Sequence, residues 1–180
     1  MVRPHVKPYD ENASTALGGA GMSIYWETPP KFFNHLNEYY GFTLDVCATP
    51  ENAKCERYFT EKDNGLSIDS LWNGVIWMNP PYGGAIQEWI EHAVDRVKCF
   101  TKIDRVVALL PANTDPFWFH EYIYRCPFAS YKFLEGRLWF LDENKVPQKG
   151  SNVKNMVVEW SLKPHILPSI TLKHAKEYNR

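Results

Sequence analysis

The sequence predicts an α/β fold, a mostly parallel sheet with an antiparallel edge and helices on both faces. Three features lead there. Short apolar runs of strand length alternate with amphipathic helical stretches between residues 30 and 110. The run Val106-Val107-Ala108-Leu109-Leu110 is continuously apolar, as in a strand buried on both faces. Later strand-like runs, separated by an irregular polar loop, suggest the antiparallel edge.

Residues 1–22 contain Gly18-Gly19-Ala20-Gly21 and little apolar periodicity, so a flexible arm is expected. No strand precedes these glycines and no Lys-Ser/Thr follows, which argues against a phosphate loop. Thr28 is placed to cap a helix whose first turn accepts Pro29 and Pro30. Phe32, Phe33, Leu36 and Tyr40 share one face at helical spacing, and Gly41 ends the helix. Residues 42–48 read as a short strand, 57–60 as a possible strand, and 61–65 as a turn.

The strand 75–78 follows, then the loop 79–84 and a helix over 85–100 with Ile86, Ile90, Ala93, Val94 and Val97 as its apolar stripe. After the strand 105–110, an aromatic helix is expected over 116–124. Strand-like segments 130–134 and 137–140 flank Glu135-Gly136, the polar loop 142–152 intervenes, and 155–160 is a further strand. Pro164 and Pro168 break the remainder, which reads as peripheral. The expected organisation is an arm (1–22), one domain (23–162) and a basic C-terminal extension (163–180).

Composition sets bounds on this scheme. A chain of 180 residues with 44% hydrophobic and 15% aromatic content supports one packed domain and excludes wholesale disorder. No run approaches the roughly 18 apolar residues of a membrane span. The polar start Met1-Val2-Arg3-Pro4-His5 lacks a signal-peptide apolar region, so a cytoplasmic protein without a membrane partner is expected. Cys47, Cys55, Cys99 and Cys126 form no C-x-x-C pair and have no His at zinc spacing, so no metal is expected. Cys47 and Cys99, beside apolar residues, read as small buried hydrophobes. Net charge is −1, but residues 145–180 carry seven basic residues against Glu159 and Glu177, a balance of +5 that leaves −6 elsewhere. Such asymmetry suits a localised phosphate-contacting face and equally a solvated tail.

Most of the chemistry is concentrated in Asn79-Pro80-Pro81-Tyr82, directly after the apolar run Gly74-Val75-Ile76-Trp77-Met78. An exocyclic amine on a nitrogenous ring is a poor nucleophile because its lone pair is delocalised. An Asn side-chain carbonyl and the Pro80 backbone carbonyl can accept its two N–H groups and draw the nitrogen toward a reactive, pyramidal form. The prolines fix φ and hold these acceptors in place before substrate arrives. Tyr82 offers a stacking face. A proline-rich turn after a strand is the plainer reading of the same residues.

Ligands of open α/β sheets collect at the carboxyl ends of strands, near the point where strand order reverses. Asp45 is a carboxylate in an apolar strand, costly without a partner. A methyl donor with a sulfonium, an ammonium and ribose hydroxyls supplies several partners, and a salt bridge would serve as well. Asp63 and Asn64 suit ribose or adenine binding, or an ordinary solvated turn. Trp26 suits either a core or a cofactor contact.

In order, Trp26-x-Thr28-Pro29, Leu44-Asp45-Val46-Cys47-Ala48, Asn52-x-x-Cys55-x-x-Tyr58-Phe59-Thr60, Gly65-Leu66, Trp77-x-Asn79-Pro80-Pro81-Tyr82, Leu109-Leu110-Pro111-Ala112-x-Thr114 and Gly136-Arg137-Leu138-x-Phe140 resemble the phage-type DNA N-6-adenine methyltransferases, the Dam-like family. The resemblance implies a Rossmann-like S-adenosylmethionine-dependent methyltransferase fold, with S-adenosylmethionine as cofactor and a flipped adenine of DNA as target. It implies Asn79, Pro80, Pro81 and Tyr82 as the catalytic loop, and Trp26, Thr28, Pro29, Asp45, Asp63 and Asn64 as donor contacts. It also implies a phage-encoded enzyme of the host cytoplasm that evades restriction. Arg137, Lys145, Lys149 and Lys154 are the candidate nucleic-acid contacts. The chain departs from the family in lacking a glycine-rich fingerprint after the first strand, and Asn64 stands where an acid often precedes Gly65-Leu66. No long recognition insert is present, so a short or relaxed target sequence is expected. Methylation of cytosine N4, RNA or protein glutamine by the same loop is the neighbouring alternative. A catalytically idle nucleic-acid-binding module is the distant one.

Overall fold

The structure, a computed structural model, describes residues 26–67, 71–149 and 153–179. The expected arm 1–22 lies outside them. In chain order the main elements are α1 (Pro30–Tyr40), β1 (Leu44–Asp45), β2 (Gly74–Met78), α2 (Ile86–Cys99), β3 (Ile103–Pro111), α3 (Phe117–Phe119), β4 (Ala129–Phe133) and β5 (Asn155–Trp160). A π-helical turn, His120–Tyr124, continues α3.

The five strands lie in the order β1-β2-β3-β5-β4. β1, β2 and β3 are parallel, and β5 runs antiparallel to both β3 and β4. The sheet is therefore mixed: two of its four pairings are parallel and two antiparallel, with four strands running in one direction and β5 alone against them. Its parallel strands advance in one direction, without the reversal of a doubly wound sheet. Their carboxyl ends instead share one edge with the start of β5, where Pro111 pairs with Asn155.

Period-2 alternation sends successive side chains to opposite faces. Ile76, Met78, Val106, Ala108, Leu110, Met156, Val158 and Trp160 pack against α2 and α3. Trp77, Val107, Leu109 and Val157 meet Phe32, Phe33, Leu36 and Tyr40 of α1 on the other face. Each buried Phe or Leu of these layers contributes about 1.5–3 kcal/mol. The expected stripes of α1 and α2 are the buried ones. Gly41 closes α1 in the left-handed region at φ 60°, donating to the Asn37 carbonyl at 2.9 Å.

Several expectations need correction. Thr28 does not cap α1. Pro29 holds that position, and its carbonyl accepts from Phe32 and Phe33 at 3.0 and 3.1 Å. The strand expected over 42–48 shrinks to β1, because the Asp45 carboxylate takes the Cys47 amide and turns the chain out of the ladder. Residues 57–60 add only a bridge between Asp45 and Tyr58. Residues 137–140 form no strand, since the Trp139 amide donates to the Asn179 side chain at 2.8 Å. Cys99 is exposed rather than buried.

The largest correction concerns the C-terminal segment. Leu167, Ile170, Ala175 and Tyr178 are buried in the α1 layer, with Phe32 edge-on to Tyr178 at 5.1 Å. A buried carboxylate anchors them: Glu159 accepts from the amides of Ile166 and Leu167, from the Tyr40 hydroxyl, and from Arg105. Among the described residues no helix is long and apolar enough to cross a membrane, and no cluster of three metal-ligating side chains occurs.

Candidate active site

The carboxyl edge of the sheet gathers the chemistry. β1 delivers Asp45, β2 delivers Asn79, and β3 and β5 close the edge at Pro111 and Asn155. The stretch at Glu27 crosses this edge, held by paired backbone hydrogen bonds to Leu141 at 3.1 and 3.0 Å.

Asn79 Nδ2 donates to the Trp26 carbonyl at 2.9 Å. A carbonyl can only accept, so the amide orientation is determined and Oδ1 is left as the acceptor. Tyr82 is fixed at its far end. Its hydroxyl donates to the Leu109 carbonyl and accepts from Asn155 Nδ2, each at 3.2 Å. Its ring meets Phe140 edge-on at 6.2 Å, and Phe140 in turn contacts Trp26 at 5.1 Å. Burial pushes the Tyr82 phenol far above its ordinary range, so it stays neutral.

On one side of this loop lies a crevice lined by Trp26, Thr28, Asp45, Cys47, Asn52 and Asn79, together with Glu27, Lys54 and Trp77. It is narrow, with about 20 Å³ free, because charged side chains cross it. Glu27 pairs with Lys54 at 2.8 Å and with Lys145. The Thr28 hydroxyl is buried in this crevice with no partner among the described residues. Such an orphan is costly unless a ligand supplies the missing bond.

Asp45 is 2% exposed. Its two oxygens accept the amides of Cys47 and Lys54 at 3.2 and 3.1 Å. Burial is the dominant influence and pushes its carboxyl up from 3.8 to about 6, against the pull of those amides and of the Lys54 charge. A folded-state value raised above the unfolded one gives stability that is present below the unfolded value and lost as pH rises through the folded one. The melting temperature of the native protein relative to Asp45→Asn is therefore expected to increase as pH falls from about 7 to about 4. A pH-independent difference would show that the buried Asp45 carboxyl is not the group responsible.

On the other side of Tyr82 lies a cleft of about 470 Å³ lined by Ala112, Phe133, Leu134, Gly136, Arg137, Lys154 and Asn155. Gly136 at φ 83° turns the chain where an added Cβ would meet the His174 ring at 2.5 Å.

The expected site residues divide accordingly. Trp26, Thr28, Asp45 and Asn79 come together in the crevice, and Arg137 and Lys154 come together at the cleft. Asp63 is exposed and caps its own turn, accepting the Thr60 amide and hydroxyl at 2.7 Å, while Asn64 takes the left-handed conformation that ends it. Neither lines the crevice. Lys145 binds Glu27 and the Glu51 carbonyl, and Lys149 lies 5.4 Å from the Trp139 ring centre. Sequence reasoning missed Glu27 and Asn155. Glu27 occupies the unread position of Trp26-x-Thr28-Pro29, and Asn155 is a polar residue opening an apolar strand, the signal that picked out Asp45.

Compared with known proteins, residues 22–179 match the family model described as DNA N-6-adenine-methyltransferase (Dam). The chain is 32% identical over 97 residues to a DNA N-6-adenine-methyltransferase of Escherichia phage T1, covering 53% of this chain and 39% of that protein. It is 33% identical over 97 residues to one of Haemophilus phage HP1 (strain HP1c1), covering 52% of this chain and 53% of that protein. The matches thus span about half or less of these relatives' lengths.

Proposed function

This chain belongs to the DNA N-6-adenine-methyltransferase (Dam) family, and from that premise we propose that it transfers a methyl group from S-adenosylmethionine to N6 of an adenine in DNA. The observation that carries the reading is the oriented amide of Asn79. Its N–H is committed to Trp26, which leaves its carbonyl to accept from an incoming amine.

The adenine leaves the duplex at a cost of roughly a few kcal/mol. Its N6 donates one hydrogen bond to Asn79 Oδ1 and the other to the Pro80 carbonyl, and its ring rests against Tyr82. Because Pro80 and Pro81 are stiff and Tyr82 is fixed at its hydroxyl, little reorganisation accompanies reaction. Asn79 and Pro80 orient the amine and stabilise positive charge as N6 gains carbon. N6 then releases one proton to solvent.

The crevice suits the methyl donor chemically. Asp45 and Glu27 offer carboxylates for a cationic ligand, the buried Thr28 hydroxyl lacks a partner among the described residues, and Trp26 offers apolar surface; Pro29 is buried and does not line the crevice. When bound, the donor supplies a methyl group on positively charged sulfur. Its entry requires Lys54 and Lys145 to swing away from Glu27, since their ion pairs cross the space.

Incubation with radiolabelled S-adenosylmethionine and separate DNA, RNA and peptide substrates tests the reading. Label should enter DNA, and nucleoside analysis should identify N6-methyladenine. Label appearing as N4-methylcytosine, or only in RNA or peptide, would overturn it. Failure to bind donor at all would favour the idle binding module.

A further inference from the structure

The cleft beyond Tyr82 is not used by the mechanism above, yet it has a distinct chemical character. Its mouth carries Phe133, a large aromatic side chain 51% exposed, with the exposed cations Arg137 and Lys154 beside it. Its wall carries Asn155, 1% exposed. Asn155 Nδ2 is committed to the Tyr82 hydroxyl, while its Oδ1 has no partner among the described residues. A buried acceptor without a donor incurs the desolvation cost of an unmade bond, and a ligand N–H from the cleft would relieve it.

An aromatic face, two cations and a buried acceptor together fit one kind of occupant, a single nucleotide. The base stacks on Phe133, its phosphates meet Arg137 and Lys154, and an N–H on its edge reaches Asn155. At about 470 Å³ the cleft has the volume of a small-molecule site. Its distance from Asn79 decides which nucleotide enters. Asn155 begins β5 and Asn79 follows β2, with β3 between them and a two-residue offset along the strands, so the two lie about 12 Å apart. That exceeds the span of one base held at N6 by Asn79, but an adjacent nucleotide of an opened strand can reach it.

We infer that this cleft is a sequence-reading slot for a nucleotide flanking the methylated adenine, with Phe133 as its stacking platform and Asn155 Oδ1 as its specificity-determining acceptor. The inference rests on the chain's being a DNA adenine methyltransferase. It also gives a recognition element to a chain with no recognition insert between Asp45 and Asn79.

The test combines two readouts on the full chain. Oligonucleotides with randomised positions around one adenine are methylated, and the N6-methyladenine flanks are sequenced. Fluorescence anisotropy of a labelled single-stranded oligonucleotide measures binding without turnover. Phe133→Ala should weaken binding about tenfold, raise KM more than it lowers kcat, and leave S-adenosylhomocysteine affinity unchanged, while Phe133→Trp restores binding. Asn155→Ala should flatten the preference at one flanking position. Tyr82→Phe, which removes the hydroxyl partner of Asn155 without touching its acceptor, should lower activity but keep that preference. Unchanged affinity in Phe133→Ala would overturn the slot, as would an unchanged flank pattern in Asn155→Ala. A native protein that binds DNA through Phe133 but methylates nothing would instead overturn the assigned activity and with it the reading role, leaving nucleotide binding at the cleft.

Discussion

Replacing Asn79 with alanine should lower methyl transfer to DNA at least about a hundredfold, the scale set by removing one preorganised group that stabilises transition-state charge. The loss should fall on kcat, because the amine partner is held most tightly as charge develops on nitrogen. Asn79 also donates to the Trp26 carbonyl, so the variant loses a brace between the loop and the crevice wall. Asn79→Asp separates the two contributions. A carboxylate still accepts from the amine but cannot donate to Trp26, so it should recover part of the rate. Affinity for S-adenosylhomocysteine should change little in either variant, since the donor contacts proposed for Asp45 and Thr28 remain. An alanine variant with native kcat would show that the loop is only a turn after β2.

How much of this was legible in the sequence follows from the range of the contacts involved. β2 and its loop were readable because an apolar run directly abuts Asn79. The stripes of α1 and α2 were readable because helical periodicity is local. The site's two cavities were not, because they are closed by distant partners. Trp26 meets Asn79 across 53 residues and Asn155 meets Tyr82 across 73. Lys145 read as a candidate nucleic-acid contact in a polar loop, yet it pairs with Glu27 across 118 residues. Asp63 and Asn64 are the converse case. Their turn chemistry was visible, and the structure uses the Asp63 carboxylate on Thr60. The C-terminal segment looked peripheral because Pro164 and Pro168 interrupt any regular element there. Contacts from distant parts of the chain hold it, among them Lys132 on the Ile170 carbonyl and Asn179 on Trp139, together with the buried carboxylate of Glu159 on the amides of Ile166 and Leu167.

That carboxylate should dominate stability. Glu159 is fully buried and holds Arg105, the Tyr40 hydroxyl and the amides of Ile166 and Leu167. Glu159→Ala removes every one of these acceptors at once. Among the described residues Arg105, itself buried, keeps only the Pro164 carbonyl at 3.3 Å, and an unpaired buried charge costs about 3–5 kcal/mol. For a chain of this size that corresponds to a melting temperature lower by roughly 6–20 °C. The segment after Pro164 should loosen first, because its amides lose their acceptor, and hydrogen exchange at Ile166 and Leu167 should accelerate beyond that of β3. Removing both charges tests the cause. Arg105→Met combined with Glu159→Met eliminates the stranded cation and should regain much of the loss, as apolar replacements of buried ion pairs often do. If Glu159→Ala melts within about 1 kcal/mol of the native protein, the range of an exposed pair, the carboxylate is not what ties the C-terminal segment to the sheet. If the double variant is no more stable than Glu159→Ala, the cost lies in the lost amide and hydroxyl bonds rather than in the charge.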